Sequence, residues 1–239
     1  IAVTGTKGKS TTTALIAHLL RAGGHRTALA GNIGLPLLDL PDDDAVAAHV
    51  IELSSFQTHD FAASPRVSLI TNLIEEHLDW HGSGARYVAD KLRILGDRSR
   101  TIAVLNAEDA KLAGLETTGD VRWFGTTTGW HLDASHVCCG PERVLAISEL
   151  PLPGRHNALN LCGALAALDA AGFDARALAH HAASFKPLPH RLQTLGTRDG
   201  FTCINDSIAT TPQAARAALD HVAGQRVAIL LGGHERGLD

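Results

Sequence analysis

The sequence has little of what marks a nucleic-acid-binding or membrane-spanning protein. Its 21 lysines and arginines are outnumbered by 25 aspartates and glutamates, for a formal net charge of −4, and the chain has no long basic run. Binding along nucleic acid requires clustered positive charge, so we expect no nucleic-acid partner. No apolar stretch approaches the roughly twenty residues of a membrane-spanning helix, so we also expect no membrane insertion.

Cysteine is scarce as well. The four cysteines show no C-x-x-C spacing and include one sequential pair, Cys138 and Cys139. This arrangement favours neither a structural zinc site nor a disulfide framework, whereas reduced thiols in the cytoplasm account for it. We therefore predict a cytoplasmic protein and expect a monomer. With 45% apolar residues, the chain of 239 residues can build the core of one large or two modest domains.

The chain is organised around its first twelve residues. A short apolar run that predicts a strand leads into Gly5-Thr6-Lys7-Gly8-Lys9-Ser10-Thr11, and an amphipathic helix follows directly. Backbone N–H groups at a helix N-terminus bind anions, so this unit predicts a phosphate site with Lys9 on the outer phosphates and Ser10 on magnesium. The glycines stand closer together than in the common nucleotide-binding loop. A plain glycine turn with a surface lysine is the alternative.

Further apolar runs predict a parallel sheet. The predicted strands are Arg26–Ala30, His49–Leu53, Val67–Asn72 and Thr101–Asn106. Such continuous apolar runs are typical of strands buried on both faces, and ligands bind at the carboxyl ends of these strands, where polar residues stand. We predict an α/β fold with a doubly wound, mostly parallel sheet of the P-loop ATPase type. Val121–Leu150 predicts a small antiparallel patch, and Arg226–Leu231 predicts the first strand of a second, Rossmann-like domain.

One predicted helix, Gly84–Asp97, contains an anomaly. Lys91 falls in the middle of its apolar face, whereas Arg86, Asp90 and Arg93 fall on the opposite face. The cost of desolvating an ammonium group predicts a lowered pKa for Lys91. A lysine whose ammonium reaches solvent at the rim of the sheet is the alternative.

Eight motifs, in this order along the chain, resemble those of the Mur ligase family and, within it, of the glutamate-adding enzymes. They are Thr4-Gly5-Thr6-Lys7-Gly8-Lys9-Ser10-Thr11, Gly31-Asn32-Ile33-Gly34, Glu52-Leu53-Ser54-Ser55-Phe56-Gln57, Glu76-His77-Leu78-Asp79, Lys91-Leu92-Arg93, Gly154-Arg155-His156-Asn157-Ala158-Leu159-Asn160, Leu188-Pro189-His190-Arg191 and Asn205-Asp206-Ser207. The resemblance implies that residues 1–224 form the central ATP-binding domain and that residues 225–239 begin a C-terminal amino-acid-binding domain. It also implies an N-terminal uridine-nucleotide domain outside this chain.

The resemblance implies an ATP-dependent, amide-bond-forming ligase of peptidoglycan synthesis that works through an acyl phosphate. In this family, ATP and Mg²⁺ serve the reaction, and the implied catalytic residues are Lys9, His77 and Lys91. Ser10 and Glu52 correspond to the first magnesium site, and His77 with a carbamylated Lys91 corresponds to the second. Carbamylation needs a neutral amine, which the apolar position of Lys91 favours independently. Pairing of Glu52 and His77 with surface lysines is the alternative.

The resemblance also implies contacts to ATP and to the muramoyl substrate. The ATP-binding positions are Gly5, Thr6, Lys7, Gly8, Lys9, Ser10, Thr11, Asn157, Asn160, Arg191 and Asp206. The substrate-binding positions are Asn32, Ser54, His77 and Thr210. A helix cap at Asn157 and a turn role for Asp206 are the alternatives.

One departure from the family pattern concerns the incoming amino acid. The D-glutamate-adding enzymes carry a lysine two residues after the aspartate that corresponds to Asp206, whereas this chain has Ile208. The variant resembles the branch that adds L-glutamate to UDP-N-acetylmuramoyl-L-alanine, which we therefore expect as the substrate together with L-glutamate. The alternatives are D-glutamate, a folylpolyglutamate synthetase-like ligase and a non-catalytic nucleotide-binding module.

Overall fold

The computed structural model describes residues 1–40, 43–209 and 212–233. The chain divides into two compact units, Ile1–Phe185 and Lys186–Asp239. The predicted boundary after residue 224 remains a prediction, as does the domain identity on either side of it. No helix in the described part of the chain is long and apolar enough to cross a membrane.

The first unit contains a parallel sheet of six strands. Its strands are β1 (Ala2–Thr4), β2 (Thr27–Gly31), β3 (Ala48–Glu52), β4 (Val67–Ile70), β5 (Ile102–Asn106) and β6 (Val121–Phe124). Their order in the sheet is β2-β3-β1-β4-β5-β6, and every neighbouring pair is parallel. The predicted doubly wound, mostly parallel fold is confirmed.

The helices of this unit lie between the strands in sequence. They are α1 (Lys9–Ala22), α2 (Ser55–His59), α3 (Leu78–His81), α4 (Gly84–Leu92), α5 (Ala110–Ala113), α6 (Arg155–Ala171) and α7 (Ala175–Ala179). Every residue of β1 and β4 is buried, so helices cover both faces of the sheet there. On one face, Ala2, Ile70 and Leu105 belong to a core cluster with Ile94, which follows α4.

A small antiparallel sheet follows β6, as predicted. It consists of β7 (Trp130–Leu132), β8 (His136–Cys139) and β9 (Glu142–Ala146). The prediction began this patch at Val121, which is wrong for Val121–Phe124, because that segment pairs in parallel with β5 and extends the main sheet. The direction in which Val121–Phe124 pairs depends on the strand beside it in space. A run of apolar residues carries no information on that direction.

The described residues of the second unit form an antiparallel hairpin and one α-helix. The hairpin consists of β10 (Gln193–Arg198) and β11 (Phe201–Asn205), and the helix is α8 (Pro212–His221). The strand predicted at Arg226–Leu231 is wrong for this structure, in which residues 226–233 form neither helix nor strand. A strand requires a hydrogen-bonded neighbour, and the described residues provide none for this segment.

Candidate functional site

The phosphate loop joins β1 to α1 at the centre of the sheet. Gly5 has φ 148° and Gly8 has φ 82°, and Gly8 is the N-cap residue of α1 without a side-chain cap. The N–H groups at the start of a helix have no intrahelical partner, and the helix dipole favours negative charge there. The loop predicted from the sequence therefore has the backbone conformation and the adjoining helix N-terminus that a phosphate site requires.

Gly8 also allows a side chain from α6 to approach the loop. A Cβ atom at Gly8 would lie 2.3 Å from Oδ1 of Asn160, whose side chain is largely buried and donates to Asn157 Oδ1 at 3.3 Å. The structure thus brings Asn160 against the phosphate loop, although more than 150 residues separate them in the sequence. Asn157 does not cap α6; the helix begins after Gly154, and Asn157 Nδ2 donates to Pro153 O at 2.7 Å.

We expect Gly8→Ala to lower the free energy of unfolding by more than Gly24→Ala does. Both glycines have nearly the same left-handed backbone, with φ 82° and 84°, but a Cβ at Gly24 would meet nothing within 4 Å. Gly24→Ala therefore measures backbone strain alone, about 1–2 kcal/mol. Gly8→Ala adds overpacking against Asn160, a further cost of about 1–3 kcal/mol. Denaturant unfolding measures both, and equal losses would show that Asn160 moves aside freely.

The end of β4 holds the backbone of Lys7. Lys7 N donates to Asn72 Oδ1 at 2.8 Å, while Lys7 O accepts from Asn72 Nδ2 at 2.9 Å and from Thr71 Oγ1 at 2.6 Å. The side chain of Lys7 forms an ion pair with Glu76 at 2.5 Å. Thr71 and Asn72 form a polar strand end of the kind that the sequence predicts at the ligand-binding edge, although the sequence assigns neither residue a specific role.

Glu52, at the end of β3, is a fully buried carboxylate next to the phosphate loop. Its Oε1 accepts from Ser10 Oγ at 3.1 Å and from Asn32 Nδ2 at 3.0 Å. Its Oε2 is buried and has no hydrogen-bond partner among the described residues. A buried carboxylate oxygen without a partner costs free energy, and a bound cation would compensate that cost. The alternative of a surface ion pair for Glu52 is wrong, because the side chain is inaccessible to solvent.

These residues fit a magnesium ion bound together with a phosphate ligand. Mg²⁺ takes oxygen ligands and is held in nucleotide sites by one or two carboxylates together with substrate phosphates and water. Glu52 and Ser10 offer a carboxylate and a hydroxyl at the start of the helix where phosphates bind. Within residues 1–40, 43–209 and 212–233, no group of three or more His, Cys, Asp or Glu side chains is arranged to hold a metal ion. A magnesium ion here would therefore need phosphate oxygens or water as further ligands.

Lys91 is buried, as its position on the apolar face of the helix predicts. Only 1% of it is exposed, its Nζ donates to Gly5 O at 2.8 Å, and this nitrogen lies 5.0 Å from the centre of the Tyr87 ring. Burial, with a smaller contribution from Lys9, lowers the pKa of Lys91 to about 7, against the opposing effect of Glu76 and Glu52. A large fraction of the amine is therefore neutral at physiological pH, and the alternative of a solvent-reaching ammonium is wrong.

His77 is exposed and precedes the one-turn helix α3. It is the N-cap residue of this helix and has the left-handed conformation φ 54°, ψ 39°, which is uncommon for a residue other than glycine. Its ring lies 5.1 Å from the ring of Phe56. Partial desolvation lowers the pKa of His77, which favours the neutral imidazole that a metal ligand requires.

Asn32 and Ser54, two further predicted substrate positions, lie at the same edge of the sheet. Asn32 N donates to Glu52 O at 3.0 Å, in addition to the bond between their side chains. Ser54 is the N-cap residue of α2, where its hydroxyl accepts from Gln57 N at 3.3 Å. The structure therefore gives Ser54 a capping role, and its substrate contact remains a prediction.

Arg191 and Asp206 belong to the second unit, whereas the other predicted ATP-binding residues belong to the first. Within this unit, Asp206 Oδ1 accepts from Leu192 N at 3.0 Å, so Asp206 lies beside the segment that carries Arg191. Ile208 N donates to His190 O at 3.3 Å across the same turn, and Ile208 is exposed. Thr210 lies outside the described residues, as do positions 234–239 of the predicted C-terminal domain.

Two buried residues of α4 were not predicted as part of the site. Tyr87 Oη lies 2.8 Å from Thr6 Oγ1, so it joins α4 to the phosphate loop. Asp90 was placed on the polar face of the helix, which is wrong, because only 4% of it is exposed and it contacts two histidines. Helical periodicity assumes one buried face, whereas α2 and α3 also pack against α4.

Comparison with known proteins indicates the family of this chain. Residues 3–168 match the model of the Mur ligase middle domain. The chain is similar, at 57% identity over its whole length and 52% of the relative, to the UDP-N-acetylmuramoyl-L-alanine–L-glutamate ligase of Xanthomonas euvesicatoria pv. vesicatoria strain 85-10. A Micromonospora protein of the same name is 44% identical, and the whole chain matches 54% of it.

A solved structure is similar in fold. The UDP-N-acetylmuramate-alanine ligase MurC of Thermotoga maritima superimposes with a TM-score of 0.69 at 27% identity, over 93% of this chain and 53% of that one. The chain thus spans about half the length of the curated relatives that it matches. Because the family model covers most of the chain and the phosphate loop lies within it, the chain belongs to the Mur ligase family.

Proposed function

We propose that the full-length protein is an ATP-dependent ligase that adds L-glutamate to UDP-N-acetylmuramoyl-L-alanine in peptidoglycan precursor synthesis. The observation that carries the ligase chemistry is the buried carboxylate of Glu52 beside Ser10 of the phosphate loop. Its Oε1 accepts from Ser10, whereas its Oε2 has no hydrogen-bond partner among the described residues. The 57% identical relative that bears this enzymatic name supports the choice of substrates. Four free thiols in the described structure support a cytoplasmic location.

The phosphate loop binds the ATP phosphates in this proposal. The N–H groups at the start of α1 receive the phosphate oxygens, and Lys9 supplies positive charge to the transferred group. Asn160 and Asn157 lie on the adjacent part of α6 and serve the adenine side, while Arg191 and Asp206 of the second unit serve the ribose and the γ-phosphate. Gly5, Thr6, Lys7 and Thr11 complete the ATP-binding set.

Glu52 and Ser10 would hold one magnesium ion, and His77 with Lys91 would hold a second. When bound, Mg²⁺ neutralises the charge that accumulates on the phosphate oxygens. The neutral amine of Lys91 reacts with CO₂ to form a carbamate and releases one proton. Nζ keeps one N–H after this reaction, so the bond to Gly5 O at 2.8 Å can persist, and the carbamate oxygens would serve as metal ligands.

The reaction proceeds in two transfers. The carboxylate of the alanyl substrate takes the γ-phosphoryl group of ATP, which forms an acyl phosphate and releases ADP. The amine of glutamate then attacks the acyl carbon, phosphate leaves with the bonding electron pair, and the nitrogen loses a proton. Asn32, which is held by Glu52, orients the muramoyl substrate, and Ser54, His77 and Thr210 provide the remaining contacts proposed for it.

The enantiomer of glutamate is the decisive test. We expect the full-length protein, supplied with ATP, Mg²⁺ and UDP-N-acetylmuramoyl-L-alanine, to release phosphate with L-glutamate at a rate at least about 100-fold above that with D-glutamate. Ile208 supports this preference, because it cannot provide the positive charge that the resemblance associates with binding of D-glutamate. Coupled phosphate detection and chromatography of the product measure the rate.

Three outcomes would contradict the proposal in different ways. A preference for D-glutamate would assign the chain to the other glutamate-adding branch. Activity on a folate substrate in place of the muramoyl substrate would assign a folylpolyglutamate synthetase-like role. ATP binding without phosphate release for any substrate would leave a non-catalytic nucleotide-binding module. Light scattering of the same protein tests the monomer that we propose.

A further inference from the structure

Asp90 is a buried carboxylate that joins two histidines from different helices. Its Oδ1 accepts from Nδ1 of His59 at 3.0 Å, and its Oδ2 accepts from Nδ1 of His81 at 2.7 Å. A carboxylate that accepts both bonds requires a proton on each Nδ1. Through these two bonds Asp90 links α2, α3 and α4.

The link to His81 leads directly to His77. His81 N donates to His77 O at 3.0 Å, which closes the single turn of α3. A helix of one turn is unstable by itself, so its conformation depends on contacts with the rest of the protein. The left-handed backbone of His77 adds strain, which those contacts must offset. The side-chain bond from His81 to Asp90 is the polar anchor of this turn among the described residues.

Apolar packing fixes the ring of His81 around that anchor. The side chain is fully buried, with its ring centre 5.8 Å from that of Phe56, 4.5 Å from that of Trp80 and 5.2 Å from that of Tyr87. Its Nε2 has no hydrogen-bond partner among the described residues. The bond to Asp90 is thus the only side-chain hydrogen bond found for this ring in the described structure, and it determines how the ring is oriented.

Three segments that carry proposed metal ligands meet at Asp90. The strand β3, which ends at Glu52, continues into α2 and its last residue, His59; His77 precedes α3; and Lys91 follows Asp90 directly in α4. We propose that Asp90 is a positioning residue, which fixes the relative placement of Glu52, His77 and Lys91 for metal binding without being a ligand itself. This inference rests on the proposed function and adds a role that the family motifs do not include.

Substitution of Asp90 in the full-length protein tests the inference through metal affinity. We expect Asp90→Asn to raise the dissociation constant for Mn²⁺ about 10-fold or more, the usual size of an effect from residues that orient metal ligands. Free Mn²⁺ is measured by electron paramagnetic resonance in the presence of a non-hydrolysable ATP analogue. Affinity for ADP without a divalent ion should stay within about twofold, because the phosphate loop is unaltered.

A second variant and a matched control separate positioning from folding. His81→Phe keeps an aromatic ring in the same packing but removes the donor to Asp90, so we expect it to weaken Mn²⁺ binding in the same way. Asp169→Asn makes the same chemical change at a carboxylate that accepts from Trp130 Nε1 at 2.5 Å, outside the site. This control should lower the thermal unfolding temperature without changing the dissociation constant for Mn²⁺.

The outcomes distinguish this inference from the proposed function. If the unsubstituted protein performs the ligation and binds Mn²⁺, and folded Asp90→Asn and His81→Phe variants bind Mn²⁺ within twofold of it, the positioning role is overturned. If Asp90→Asn weakened Mn²⁺ binding and His81→Phe did not, the claim that Asp90 positions His77 through its bond from His81 would be overturned. If the unsubstituted protein binds neither Mn²⁺ nor nucleotide, the proposed function fails first, and the inference fails with it.

Discussion

Replacement of Lys91 by alanine is expected to lower the rate of ligation by about 10³-fold, the size of effect found when a group that stabilises transition-state charge is removed. The lysine is 1% exposed, and its amine, with a pKa near 7, is available for carbamylation at physiological pH. Without it, His77 would lose its partner at the proposed second metal site. Initial rates of phosphate release by the full-length protein measure the loss.

Chemical rescue distinguishes a carbamate from a simple packing role. The space left by the side chain of Lys91 can admit formate or acetate, whose oxygens replace those of the carbamate, so we expect partial recovery of the rate. Lys111→Ala is the matched control, because this lysine is partly exposed and forms an ion pair with Glu75 at the surface. Its substitution should leave the rate unchanged. Full activity of Lys91→Ala would remove this residue from the site.

Glu52→Gln is expected to have opposite effects on activity and on stability. Gln retains an oxygen that can accept from Ser10 and Asn32, but it removes the negative charge and presents an amide in place of the unpartnered Oε2. We expect ligation to fall by about 10³-fold, because a magnesium ligand is lost where charge must be neutralised. In the metal-free protein, the free energy of unfolding should rise by about 1–3 kcal/mol, because a buried, incompletely paired charge is removed.

Denaturant unfolding with and without Mg²⁺ and ATP separates these two effects. The ligands should stabilise the unsubstituted protein, in proportion to their affinity for the folded state, and should stabilise Glu52→Gln much less. Glu142→Gln is a suitable control, because this glutamate is exposed and forms an ion pair with Arg176. If Glu52→Gln instead lowered the stability of the metal-free protein, Glu52 would be a structural hydrogen-bonding residue and not a metal ligand.

The phosphate loop and the sheet could be predicted because their signals are local. Apolar runs predicted five of the six parallel strands, and glycines at positions 5 and 8 predicted the turn that their φ angles of 148° and 82° require. The direction of Val121–Phe124 and the absence of a strand at residues 226–233 could not be predicted, because strand pairing depends on neighbours that are distant in sequence.

The side chains of the site were predictable by residue type and position at strand ends, but their partners were not. Lys91 stood out because an ammonium on an apolar helix face is costly to bury. Asp90, one residue earlier, gave no such signal, because aspartate on the polar face of a helix usually lies in solvent. Two histidines from separate helices make its burial favourable, and they lie 31 and 9 residues away along the chain.

The sequence by itself determined the phosphate loop, the order of the motifs and the burial of Lys91, since each follows from local conformation or from the periodicity of one element. Only the tertiary structure decided that Lys91 meets Gly5, 86 residues away, and that Ser10 meets Glu52, 42 residues away. The sheet order β2-β3-β1-β4 places β1 between two strands that come later in the chain, and this order brings their carboxyl ends together. Hydrogen bonds between such distant residues need the packed fold that brings them together, and they are strengthened where that packing excludes water.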